Sequence, residues 1–123
     1  MDINETIIGV INLPKKFGSL GNVSIYSLLE ETGYFENHSQ VAECAICEAL
    51  VRHPEFIYAW MRLSEDKRAT GGWYFRQNNK VGYVVGYFPQ NDINGGRIEY
   101  SDPIVACAAF IKREIEDIMS KGH

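Results

Sequence analysis

The chain has 123 residues, 46% of them hydrophobic and 23% charged, with sixteen acidic against twelve basic residues and a net charge of −4. This excludes a fibre, a disordered tail and a disulfide scaffold, and predicts one globular domain over 1–123 that buries roughly 65% of its unfolded surface. No apolar run approaches the roughly 20 residues of a membrane helix, and Met1-Asp2-Ile3-Asn4-Glu5 lacks the basic start of a secretory signal, so a cytoplasmic chain without a membrane partner is expected.

Along the first twenty residues, Ile7, Ile8, Val10 and Ile11 suit either a short helix or a strand. Leu13-Pro14 and Gly18-Ser19-Leu20-Gly21 then read as a loop. A helix is predicted from Ser24 to Thr32, started by Ser24 or by Ser27 with Glu30 in capping-box spacing, and stopped by Gly33 in the left-handed position. A second runs from Ser39 to Arg52, with Asn37 or Ser39 as cap and Val41, Ala45, Ile46, Ala49 and Leu50 on its apolar face. Pro54 opens a third, to Leu63, with Phe56, Trp60 and Leu63 on one side. The polar run Ser64-Glu65-Asp66-Lys67-Arg68 is then a loop or a frayed helix end.

Two β-type runs follow, Trp73–Gln77 and Val81–Phe88, around an Asn78-Asn79 turn signal. Pairing across it sets Gln77 opposite Lys80, Phe75 opposite Gly82 and Trp73 opposite Val84. One face then carries Trp73, Phe75, Gly82, Val84 and Gly86, and is assigned to the core. The other carries Tyr74, Arg76, Val81, Tyr83, Val85 and Tyr87, and is left partly wet; a slip of one residue inverts the assignment. Pro89–Gly96 is turn-rich and Arg97–Tyr100 can add a third strand. The last helix is capped by Asp102 with Pro103 in its first position. Its stripe is Ile104, Ala108, Ile111, Ile115 and Ile118, with Lys112, Arg113, Glu116 and Asp117 toward water. The sum is an α+β fold, about four helices on one face of a two- or three-stranded antiparallel sheet.

Chemistry-bearing patterns are sparse. Cys44 and Cys47 form C-x-x-C, but inside a predicted helix, whereas a redox motif sets its first cysteine at a helix N-terminus. Zinc needs four ligands, and His53 and Cys107 complete a set only by tertiary accident. All three cysteines are expected free and metal-free. His38 reads as a solvated helix start and His53 as a cap before Pro54. Asn91-Asp92-Ile93-Asn94-Gly95 lacks calcium-loop spacing and reads as a turn. No nucleophile elbow, phosphate loop or paired-carboxylate motif occurs, so no catalytic residue, cofactor or metal is expected.

The most distinctive stretch is Trp60 to Phe75, where Glu65, Asp66, Lys67 and Arg68 lie between two tryptophans. Charge runs are usually solvated corners, but Trp, Tyr and Arg are also the residue types that anchor interfaces. The expected partner-binding set is Glu65, Asp66, Lys67, Arg68, Tyr74, Arg76, Tyr83 and Tyr87. The acidic surface of Glu30, Glu31, Glu36 and Glu43 is the fallback. Excess acid disfavours direct nucleic-acid binding, which rests on phosphate neutralisation, and suits a basic protein partner.

Ser-Glu-Asp-Lys-Arg…Gly-Trp-Tyr-Phe at 64–75 and Asp-Pro-Ile-Val-Ala-Cys-Ala-Ala-Phe-Ile-Lys-Arg-Glu-Ile-Glu at 102–116, in a small acidic chain, resemble bacterial toxin-immunity proteins of the contact-dependent growth-inhibition type. The resemblance implies a non-catalytic antitoxin that binds a cognate toxin domain, a basic nuclease in the usual case. It transfers no catalytic residue, because immunity proteins share no single fold. Two other classes stay open. One is a small enzyme with a site assembled from His53, Glu65 and Arg76; the other is an assembly subunit using the tyrosine face.

Overall fold

A computed structural model describes residues 3–20, 24–67, 72–78, 82–88 and 98–121. The first segment is helical throughout: α1 spans Ile3–Ile11 and α2 spans Leu13–Leu20. Thr6, Ile7, Val10 and Ile11 recur at helical spacing and form the buried side of α1. Pro14 opens α2 rather than a loop, since a helix's first turn needs no N–H from it.

Helix α3, Ile25–Glu31, is capped by Ser24, whose hydroxyl accepts the Ser27 amide at 3.1 Å. Gly33 follows at φ 86°, the left-handed turn that glycine adopts without strain. The single helix predicted over Ser39–Arg52 is instead the end of a 3-10 turn (His38–Gln40) and α5 (Glu43–Arg52), with a short unpredicted helix α4 (Tyr34–Asn37) before them. The break falls at Val41 and Ala42, both in extended conformation, with the Val41 side chain buried. Asn37 does not cap α5; its side-chain amide donates back to the Gly33 carbonyl at 2.9 Å. His53 ends α5, its N–H bonded to the Ala49 and Leu50 carbonyls, and its own carbonyl accepts the Phe56 amide.

Helix α6 is Glu55–Lys67, one turn longer than predicted. The cause is Ser64, which points inward at 2% exposure and accepts the Phe75 amide on its hydroxyl at 2.7 Å. That bond ties the end of α6 to strand β1 (Gly72–Asn78). With β2 (Gly82–Phe88) and β3 (Ile98–Tyr100) it forms an antiparallel sheet in the order β1-β2-β3.

The hairpin register differs from the predicted one by three residues. Asn78 pairs with Gly82, Phe75 with Val85 and Trp73 with Tyr87. Three residues therefore separate the strands where the asparagine pair suggests two, and Gly82 takes φ 103°, a left-handed conformation common after such loops. An odd shift flips every side chain of the second strand. Trp73 and Phe75 face the helices as expected, but they do so with Tyr83, Val85 and Tyr87. Tyr74, Arg76, Val84 and Gly86 share the opposite face.

Helix α7, Pro103–Lys121, starts where predicted, with the Asp102 carboxylate accepting the Ile104 amide at 2.8 Å. It packs on α3, α5, α6 and all three strands. The core is one cluster drawn from α1 to α7 and the sheet. At its centre Trp60 meets Phe110 edge-on at 5.9 Å, and Phe110 stacks on Phe75 at 5.8 Å. The Trp60 indole donates to the Ile11 carbonyl at 3.0 Å, which fastens α1 to α6. The class is α+β, with seven α-helices among the described residues rather than about four.

Candidate functional site

The residues predicted to meet a partner do not form one surface. Glu65 is exposed on the last turn of α6, and the backbones of Asp66 and Lys67 continue that turn. The side chains of those two, and Arg68 altogether, lie outside the described residues. Tyr74 is 8% exposed, its ring laid over Gly86 on the paired strand, and Arg76 covers it at 5.5 Å from the ring centre. Tyr83 and Tyr87 are half-buried on the other face, against Phe75 at 6.1 Å and Trp73 at 5.3 Å. The register shift that inverts β2 thus separates Tyr74 from Tyr83 and Tyr87. It leaves none of the three as a free anchor.

A different surface emerges from the helices. No lysine or arginine occurs between Lys16 and Arg52, an interval that carries five glutamates. Glu30, Glu31, Glu36, Glu43 and Glu48 are all exposed, on α3, α4 and α5. Each sits off the apolar stripe that buries Leu28, Leu29, Tyr34, Ile46, Ala49 and Leu50, so amphipathic periodicity itself turns the acids outward. Glu43 reaches Arg113 of α7 at 3.5 Å. The four residues Glu30, Glu31, Glu36 and Glu43 were legible as an acidic surface; Glu48 adds a fifth exposed acid, while Arg52 closes α5 and Lys16 lines a hollow with Glu31.

No family model, no characterised protein and no solved structure matches this chain.

Beside the acidic surface a polar cluster joins α4 to α7. The buried Tyr34 hydroxyl donates to Glu116 and accepts from the Lys112 ammonium at 2.8 Å. Lys112 also reaches the His38 carbonyl at 3.1 Å and Glu116 at 3.3 Å. The His38 ring nitrogen stands 3.9 Å from the same carboxylate. Burial, then the Glu116 carboxylate, pushes the Tyr34 pKa far up. Burial also acts to raise Glu116, but the Tyr34 hydroxyl and Lys112 outweigh it and hold the carboxyl below its ordinary range. Tyr34 is kept a protonated donor, the opposite of what a general base needs. Lys112 and Glu116 are therefore tied into the structure and do not simply face water as the sequence suggests.

The cysteines offer no activated thiol pair. Helix α5 begins later than predicted, which sets Cys44, exposed, in its first turn and Cys47 one turn on. Burial and the neighbouring Glu43 and Asp102 carboxylates push Cys47 up, away from the thiolate that redox chemistry needs. Cys107 is wholly buried and pushed up further, chiefly by that burial. All three are free thiols. Among the described residues no group of three His, Cys, Asp or Glu is placed to hold a metal, and no helix is long and apolar enough to cross a membrane.

His53, Glu65 and Arg76, the scattered set considered for catalysis, sit at the end of α5, the end of α6 and the outer face of β1. Glu114 is a buried carboxylate the sequence reading missed, at 1% exposure. Its spacing, three residues after Ile111 on the α7 stripe, was the available signal.

Proposed function

We propose that this chain is a non-catalytic protein-binding inhibitor of the toxin-immunity kind. It acts in the cytoplasm, where it neutralises a basic cognate toxin domain, a nuclease by preference, by direct contact. The observation that carries this reading is the set of exposed glutamates on α3, α4 and α5, Glu30, Glu31, Glu36, Glu43 and Glu48, with no lysine or arginine between Lys16 and Arg52. Five exposed glutamates outnumber the cations beside them, Lys16, Arg52 and Arg113, and leave these helices net acidic, the complement of a nuclease groove built to hold phosphate. The composition and the resemblance noted above support the same class. The docking surface is assigned to these helices, because Tyr83 and Tyr87 are engaged with Phe75 and Trp73.

The test uses the product of the neighbouring open reading frame, expressed with and without this chain. Protection of growth and a stoichiometric complex are expected. The triple reversal Glu30→Lys, Glu31→Lys and Glu36→Lys, with folding checked by circular dichroism, should slow association by about tenfold or more at low salt and flatten its salt dependence. A toxic neighbour that is neither bound nor neutralised, or an association rate indifferent to the reversal, sinks the proposal.

A further inference from the structure

Between α2 and α6 lies a concavity of about 660 Å³, within the roughly 300–1,000 Å³ range of small-molecule sites. Its apolar wall is Phe17, Phe56, Ala59 and Leu63. Phe17 and Phe56 are only partly buried against the core, so each leaves ring surface toward the opening. Gly18 also lines it, and a Cβ built there meets nothing within 4 Å, so a side chain can be added at this edge without a clash.

The rim carries the charge. Lys15 and Arg62 are both exposed, one on each helix, and neither side chain joins a hydrogen bond or ion pair among the described residues. The one carboxylate at the rim, Glu55, lies 3.8 Å from the His53 ring nitrogen. In a chain of net charge −4, two cations without an ion-pair partner among the described residues, over an aromatic floor, stand apart from the acidic helices.

We propose that this concavity binds a small carboxylate with an apolar body. The two phenylalanines and Leu63 take the body out of water. Arg62, with its planar fork, and Lys15 pair the carboxylate. A single small molecule is the occupant the shape favours, since the site is an open-mouthed hollow of one-ligand size and not an extended face. The assignment stands apart from the proposed toxin-binding surface, which lies on other helices and seeks the opposite charge.

The probe is decanoate, followed by calorimetry and by amide chemical shifts of the isotope-labelled protein. Saturable one-to-one binding is expected, with shifts concentrated on α2 and α6. Decanol, which keeps the tail and lacks the charge, should bind several-fold more weakly. The double variant Lys15→Ala/Arg62→Ala should lose about tenfold in affinity, as charge-assisted hydrogen bonds to a carboxylate imply. Glu55→Gln should tighten binding by removing the opposing carboxylate. Gly18→Leu should fill the hollow and abolish binding with the fold intact, and it decides the matter if the double variant proves unstable. The proposal is overturned by any of four results: no saturable decanoate binding below micelle formation, decanol binding equally well, unchanged affinity in Gly18→Leu, or binding to anionic vesicles without binding to monomeric decanoate.

Discussion

Ser64→Ala leaves the Phe75 amide buried without its oxygen acceptor at 2.7 Å. A stranded buried donor costs about 1–3 kcal/mol, which a urea melt of this variant should show, whereas Glu65→Ala one residue along, on the exposed side, should stay within about 0.5 kcal/mol. Gly86 is similarly placed. A Cβ there comes within 2.6 Å of the Tyr74 hydroxyl and 2.7 Å of its ring, so Gly86→Ala should destabilise by about 1–3 kcal/mol through overpacking. Adding Tyr74→Ser should recover part of that loss, which separates the clash from any change in strand propensity. Neither site was legible in the sequence as it stands here. Ser64 opens a charged run and carries no mark of burial, because its role depends on a partner eleven residues away. Gly86 stands among aromatic residues in the sequence, but the ring that needs it is the one directly across the ladder, which only the true register identifies.

At the scale of elements, α7 is where sequence and structure agree best. Asp-Pro at its start and isoleucines at helical spacing are local signals that tertiary context did not override. Ile111 is fully buried, so Ile111→Ala should lose about 2–5 kcal/mol; a loss under about half a kcal/mol would take the stripe off the core. The hairpin was harder, because alternation marks a strand without saying which residue faces which. One uncounted loop residue was enough to move the second strand's aromatics across the sheet. The contact between α4 and α7 gives a prediction in pH. Glu116 is held below the ordinary carboxylate range, so its contribution is complete above that range and is lost as pH falls through it toward the lowered value. Tyr34 is raised, so its contribution is complete below about pH 10 and is lost progressively above it, as the unfolded chain's tyrosine ionises first. Thermal melts across pH should therefore show Glu116→Gln flattening the acid limb and Tyr34→Phe flattening the alkaline one. A wild-type alkaline limb unchanged in Tyr34→Phe would mean that the hydroxyl does not bridge the two helices.

For the whole molecule, the charge distribution carries more information than the net charge. The candidate surface was only partly legible because its acids are not consecutive: those of α3 to α5 are spread through apolar helices and turn outward only when those helices bury their stripes. Thiol labelling reads the fold at the same scale. Native protein should react at Cys44 first, then Cys47, and at Cys107 only as fast as the molecule opens, because Cys107 is fully buried in the helix that the rest packs on. Reaction of Cys107 at the rate of Cys44 would mean that α7 detaches locally. Helix α7 also sets a temporal order. It follows the elements it covers, so during synthesis the parts of α3, α5, α6 and the hairpin that α7 covers emerge before it and stay open, even where α6 can already pack on β1 and α5 on α1. A product truncated before α7 should therefore expose apolar surface and aggregate or be degraded faster than the full chain, which a pulse-chase of the two would read.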